Sequence, residues 1–194
     1  MEGAFLLAVQ AVRIDGLTQV MALLSSMGVS AFIWVIIAVV MLVFYQHRQT
    51  GLIMIVALVL TSILCAIAAN IIGRVYPTQS VTGLVAVVGV GHSGFCFPSL
   101  HAATCAAAVT VLIKSKNRAM GSIGLVLAVL ICVSRIYLGV NYPTDIVAGI
   151  VLGIVVALIC YVLLSQLLGY MNLNSQPRQN ARKQVNSKRG RHSL

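Results

Sequence analysis

Long apolar runs separated by short polar breaks dominate the chain from residue 29 onward. Five segments, approximately 29–45, 51–72, 98–113, 119–138 and 146–168, read as bilayer-crossing helices. The first and third fall short of the roughly 20 residues a span ordinarily needs. They must stand upright, extend into the interface or be sheltered by neighbours. The third contains "HAATCAAAVTV", whose small residues let helix backbones approach closely. Residues 4–27 are apolar but carry Arg13 and Asp15 near their middle, each costing about 3 kcal/mol at bilayer depth. An amphipathic helix lying on the membrane surface is the reading adopted, with a sixth span as the alternative. The predicted fold is an all-α polytopic membrane helix bundle. From Asn172 the chain is polar and basic, with six Lys and Arg and no acid. This divides it into a membrane-embedded helical domain at 1–171 and a disordered basic tail at 172–194.

Composition agrees with the pattern. Hydrophobic residues make up 60% of the 194 and charged residues 8%, whereas a soluble domain is about one-quarter charged. The mean hydropathy is +1.02. With 6% aromatics and no strand alternation, a membrane barrel is excluded. No cleavable signal is expected, because the first stretch lacks a basic start.

The charge is lopsided: thirteen Lys and Arg against Glu2, Asp15 and Asp145. Arg48, then Lys114, Lys116 and Arg118, then the tail fall in alternate connections, all on one side. By the positive-inside rule that side is cytoplasmic. Charge so placed fits orientation and attraction to anionic headgroups, not nucleic-acid binding. Arg74 and Arg135 lie on the opposite, outer side, where orientation gives no reason for them. A charge kept there points to function. The five cysteines, at 65, 96, 105, 132 and 160, have neither metal-ligand nor CxxC spacing. Cys96, in a polar loop, reads as a bystander.

The outer connections gather the chemically useful side chains: "GRVYP" at 73–77, "GHSGFCFPSLH" at 91–101, "SR" at 134–135 and "NYPTD" at 141–145. Two arginines with one acid make an anion site, and the guanidinium fork suits phosphate. Pro98 is expected as the first residue of a helix whose early amides, with Ser99, face an anion. His101 could donate a proton to a leaving oxygen nearby. Asp145 alone cannot form a metal site, so neither metal nor cofactor is expected.

These residues resemble the superfamily of type 2 phosphatidic acid phosphatases and vanadium haloperoxidases, in its small bacterial membrane form. That family shows three blocks, K-x6-R-P, P-S-G-H and S-R-x5-H-x3-D. "ANIIGRVYP" at 69–77, "PSLH" at 98–101 and "SRIYLGVNYPTD" at 134–145 align with them, and the likeness covers roughly residues 30–168. The resemblance implies that Ser99 and Arg135, with Ser134 beside them, hold phosphate. It makes His101 the general acid and Asp145 the orienting carboxylate. Arg74 is a further candidate for the phosphate. Departures are plain: Ala69 replaces a Lys, Tyr76 an Arg, and Leu100 a Gly. Asn141 stands where the nucleophilic His belongs. An amide nitrogen, its lone pair delocalised, cannot form a stable phospho-enzyme.

Three readings follow. One is a lipid-phosphate phosphatase using water or a substitute nucleophile, for which His92 is the candidate. The second is a catalytically inactive binder or carrier of a phosphorylated lipid. The third is a structural subunit with a relic site. The expected ligand is a polyprenyl diphosphate, phosphatidate or similar lipid at the extracytoplasmic face. Oligomeric state is not legible.

Overall fold

The computed structural model describes residues 1–27, 32–85, 87, 94–115 and 118–191, with side chains except at 45, 118 and 170–191. Its helices are α1 (Glu2–Ala11), α2 (Asp15–Met27), α3 (Phe32–Val43), α4 (Arg48–Ile72), α5 (Pro77–Ser80), α6 (Leu100–Lys114), α7 (Arg118–Tyr137) and α8 (Pro143–Arg191). A 3-10 turn at Tyr45–His47 joins α3 to α4. No strand occurs among the described residues. The segments beginning at Arg48, Ala119 and Pro143 are long and apolar enough to cross a membrane. α3 and α6 have 12 and 15 residues, or about 18 and 22 Å at 1.5 Å per residue. They stay short of the roughly 30 Å hydrocarbon layer, as the sequence indicates.

The N-terminal segment is two helices where one surface helix or a sixth span was expected. The break at 12–14 has a tertiary cause. Arg13 turns out of the helical path to donate from Nε to the Tyr137 carbonyl at 2.9 Å and from Nη1 to the Val85 carbonyl at 3.2 Å. The Ile14 amide donates to the Tyr137 hydroxyl at 3.0 Å. Arg13 thus serves the carbonyl end of α7, where a cation is favoured.

α6 packs against both α4 and α7, α3 packs on α4, and α2 packs on α7. The small residues of α6 do what their size permits: Ala102, Ala103, Ala107 and Ala108 are fully buried. α8 presents Gly149 and Gly153 to α6. A Cβ at Gly149 would lie 2.5 Å from the Ser99 carbonyl oxygen, and one at Gly153 would overlap the Ala103 carbonyl. Glycines four apart on one helix face thus permit the close crossing that brings Ser99 beside the start of α8. Outward faces are apolar and exposed, as at Ile63, Ile67, Val151 and Val155, which suits lipid as solvent.

Residues Met1–Tyr161 form one compact unit and those from Val162 a second. The second continues α8 to Arg191, so 172–191 has helical backbone where the sequence predicts disorder. An existing helix extends at one hydrogen bond per residue fixed, without a new nucleation cost.

Candidate anion site

Two turns bring the site together. α7 ends at Tyr137, and Gly139 takes a φ of 71°, a left-handed conformation that glycine adopts freely. The Val140 amide returns to the Arg135 carbonyl at 3.1 Å. The reversal folds Asn141 back over Arg135, whose Nε donates to Asn141 Oδ1 at 3.0 Å. At the other turn, Ser99 caps α6, its Oγ accepting weakly from the Ala102 amide at 3.5 Å. The helix therefore starts at Leu100, two residues later than the expectation for Pro98, because Ser99 holds the cap position. Ser99 Oγ also reaches Asn141 Oδ1 at 3.4 Å. Its amide donates to the Asp145 carbonyl at 3.0 Å. Asn141 Nδ2 donates to the Cys96 carbonyl at 2.9 Å.

Arg135 is 6% exposed. Its Nη1 donates to Ser25 Oγ at 2.8 Å. Neutral oxygens of Ser25 and Asn141 are its hydrogen-bond acceptors, and among the described residues no carboxylate pairs with it; both ion pairs belong to Arg74. Burying a guanidinium without a counter-charge costs several kcal/mol, on the order of 3–5 when a buried pair is broken. His101 completes the cluster. Its Nε2 is buried without a partner among the described residues. The ring lies near Ser25 and within electrostatic reach of Arg135.

A second polar cluster adjoins the first. Arg74 donates from Nη1 to Asp145 Oδ1 at 2.6 Å and to Thr144 Oγ1 at 2.7 Å, and from Nη2 to Glu2 Oε2 at 2.7 Å. It also lies over the Tyr142 ring, 3.9 Å from the centroid. Burial alone would lower Arg74, but Glu2 and Asp145 carry it above its ordinary value. Asp145 Oδ2 accepts from the Tyr142 amide at 2.9 Å, the reciprocal half of a capping box on α8. Glu2 Oε1 accepts from the Thr144 amide at 3.0 Å, capping the same helix from α1. Leu6 of α1 is fully buried with Leu84, Cys96 and Tyr142, so α1 is pinned over this end by both charge and apolar contact.

Of the residues expected to form the site, Ser99, Arg135, Asn141 and His101 come together. Arg74 and Asp145 lie next door but are committed to each other. Arg74, expected to hold phosphate, spends its donors on two carboxylates. Asp145, expected to orient the residue at 141, is not its partner; Asn141 turns to Cys96 instead. Ser134 is buried, but its hydroxyl returns to the Ile131 carbonyl of its own helix at 2.7 Å, as mid-helix serines commonly do. His92 lies outside the described residues. Cys96 is buried, with Sγ 3.1 Å from the Val75 carbonyl. Burial first, and then Asp145, push its thiol up to about 12, so it is inert. Tyr76, in the place of the block-one Arg, lies within electrostatic reach of Arg135, and burial raises its phenol above the ordinary value. Glu2 and Ser25 are participants that the sequence did not single out. The one signal for Glu2 was the scarcity of acids beside outer arginines; Ser25 had none.

Residues 50–168 match the PAP2 superfamily. The chain belongs to that superfamily. A relative within it, the phosphatidylglycerophosphatase B of Bacillus subtilis, is 31% identical over 155 residues, 74% of this chain and 73% of its own. The undecaprenyl-diphosphatase of Sulfolobus acidocaldarius is 26% identical over 141 residues, 73% of this chain and 68% of its own. The crystal structure of a transmembrane PAP2-type phosphatidylglycerolphosphate phosphatase from Bacillus subtilis superposes with a TM-score of 0.70 at 27% identity, covering 85% of each chain. This PAP2 protein is accordingly an integral membrane protein related to lipid phosphatases, as its three blocks indicate.

Proposed function

We propose that this PAP2 protein binds the phosphorylated headgroup of a membrane lipid at the extracytoplasmic face and does not form a phospho-enzyme. The observation that carries the proposal is Arg135: a buried guanidinium whose hydrogen-bond acceptors are neutral oxygens and which has no carboxylate partner among the described residues. A phosphate monoester or diphosphate supplies the missing charge and matches the fork. Ser99 and the residue at 141 flank it, as the phosphate-holding blocks of the family imply. Asn141 donates to a backbone carbonyl and accepts from Arg135, a structural role with no nucleophile in it. The relatives named phosphatidylglycerophosphatase and undecaprenyl-diphosphatase support a lipid phosphate as ligand class, with phosphatidate and polyprenyl diphosphate as the members to try first.

The test is binding by the purified full chain in detergent micelles, with phosphatidate against diacylglycerol. Arg135→Gln should weaken phosphatidate binding at least about tenfold, the scale of a lost charge-assisted contact, and leave diacylglycerol unchanged. Equal affinity of the parent for the two lipids would refute the anion site.

One observation favours a second reading. The unpartnered Nε2 of His101 can serve as a general acid, so slow hydrolysis by direct attack of water is the alternative. Water would form the new bond to phosphorus as the bond from phosphorus to the lipid oxygen breaks, with His101 giving its proton to that oxygen and the water's proton passing to a phosphate oxygen. The orientation is part of the proposal: the basic connections and tail face the cytoplasm of a bacterial cell. Protease added outside intact cells should leave the tail uncut, and cutting there would reverse the orientation.

A further inference from the structure

We infer that Ser25 of α2 is a fourth element of the phosphate site, lying outside the three family blocks, and that its hydroxyl donates to the same anion that Arg135 holds. The inference rests on the anion site proposed above and adds a ligand to it. Ser25 is 1% exposed, although α2 as a whole has exposed apolar residues such as Val20 and Leu23. A buried hydroxyl must be satisfied. Its oxygen is, by Arg135 Nη1 at 2.8 Å. A hydroxyl that accepts still has one proton to give, and among the described residues no acceptor takes it. The backbone of the same residue lies near the ring of His101. Ser25 therefore touches the guanidinium through its hydroxyl and lies on the side of the cluster where His101 sits.

The alternative role for a serine here is packing alone, with the hydroxyl filling a small gap. Two features argue against it. An alanine would fill the gap without burying a polar group. A packing residue also has no reason to accept from Arg135, a buried cation with no carboxylate partner among the described residues, close to His101, whose Nε2 has no partner among them. With Ser99, Asn141 and Ser25 around Arg135, an arriving phosphate meets hydroxyls from α2 and from the cap of α6. α2 is thereby a wall of the site, held in place along α7 by Arg13 and by the Thr18 and Tyr137 hydroxyls, 3.2 Å apart.

Ser25→Thr and Ser25→Val are isosteric with each other, so a packing defect is shared and their difference reads the hydroxyl. Binding of phosphatidate and of diacylglycerol to the full chain in micelles is measured for the parent, both variants, Ser25→Ala and Arg135→Gln. The threonine variant should bind phosphatidate about tenfold more tightly than the valine variant, with no difference for diacylglycerol. If either β-branched variant fails to insert, Ser25→Ala carries the comparison with the parent, with the same tenfold loss expected. Equal phosphatidate affinity with and without the hydroxyl, while Arg135→Gln still loses binding, overturns the role of Ser25 and leaves the anion site standing. A parent that does not prefer phosphatidate to diacylglycerol overturns both.

Discussion

At the scale of single residues, the division between what a local motif reveals and what it hides is clear. Arg135 and Asn141 are six apart, and their contact follows from one helix end and one turn, so it is legible in "SRIYLGVN". Ser25 meets Arg135 across 110 positions and Glu2 meets Thr144 across 142. No spacing rule reaches that far. The carboxylate partners of Arg74 were hidden for the same reason, since Glu2 lies 72 positions away and Asp145 71. Glu2 offers a test. Partial burial alone would raise its pKa, but hydrogen bonds from Arg74 and Thr144 and the Arg74 charge hold it below its ordinary 4.5. A carboxylate depressed in the folded state stabilises above its unfolded pKa and loses that contribution as pH falls through the folded value. Protection from hydrogen exchange across residues 2–11, taken relative to the intrinsic rate at each pH, should therefore be high at pH 6 and fall as pH drops below 4.5. In Glu2→Gln it should be low at both. Because the Glu2 and Arg74 side chains are about a third exposed (31% and 30%), high salt should weaken the protection. Protection indifferent to pH, salt and this substitution would show that apolar burial of Leu6 alone holds α1.

At the scale of elements, the apolar periodicity located α3, α4, α6, α7 and the start of α8, because a bilayer imposes long unbroken runs. It could not locate the break between α1 and α2. That break depends on Arg13 finding carbonyls on α7 and in the loop at Val85, a tertiary effect. Nor did it foresee helix beyond Asn172. The α6–α8 crossing connects packing to chemistry. Gly149 faces the carbonyl of Ser99, the residue that caps α6 and reaches Asn141. A valine there has nowhere to place its side chain without separating the helices. Gly149→Val should destabilise the protein by about 1–3 kcal/mol, the usual range for overpacking, read as a lowered thermal midpoint in detergent. It should also reduce phosphatidate binding, because Ser99 moves away from Asn141. Gly169→Val is the control, since its Cβ position meets no atom within 4 Å. A Gly149→Val protein with unchanged melting and binding would show the crossing to be loose.

At the scale of the whole molecule, three acids and thirteen basic residues set up the functional question before any coordinate is seen. Two of the acids are spent on Arg74, and among the described residues no carboxylate pairs with the buried Arg135; in the proposed function an external anion supplies that charge. That arithmetic is visible in composition, but which arginine goes unpaired is decided only by the fold. The family resemblance points to the cluster of Ser99, His101, Arg135 and Asn141, and the proposed binder is one whose residue 141 supplies no nucleophile. The most direct measurement is inorganic phosphate release from phosphatidate and from a polyprenyl diphosphate at concentrations that saturate binding. It compares the parent with a variant carrying Asn141→His, Ala69→Lys and Tyr76→Arg. The account predicts a parent that binds and that releases phosphate no faster than the protein-free background, and a variant that releases it at least about a thousandfold above that background, on the scale of a restored nucleophile. Steady phosphate release by the parent, abolished by Arg135→Gln, would contradict it and make the protein a hydrolase that works without the histidine at 141.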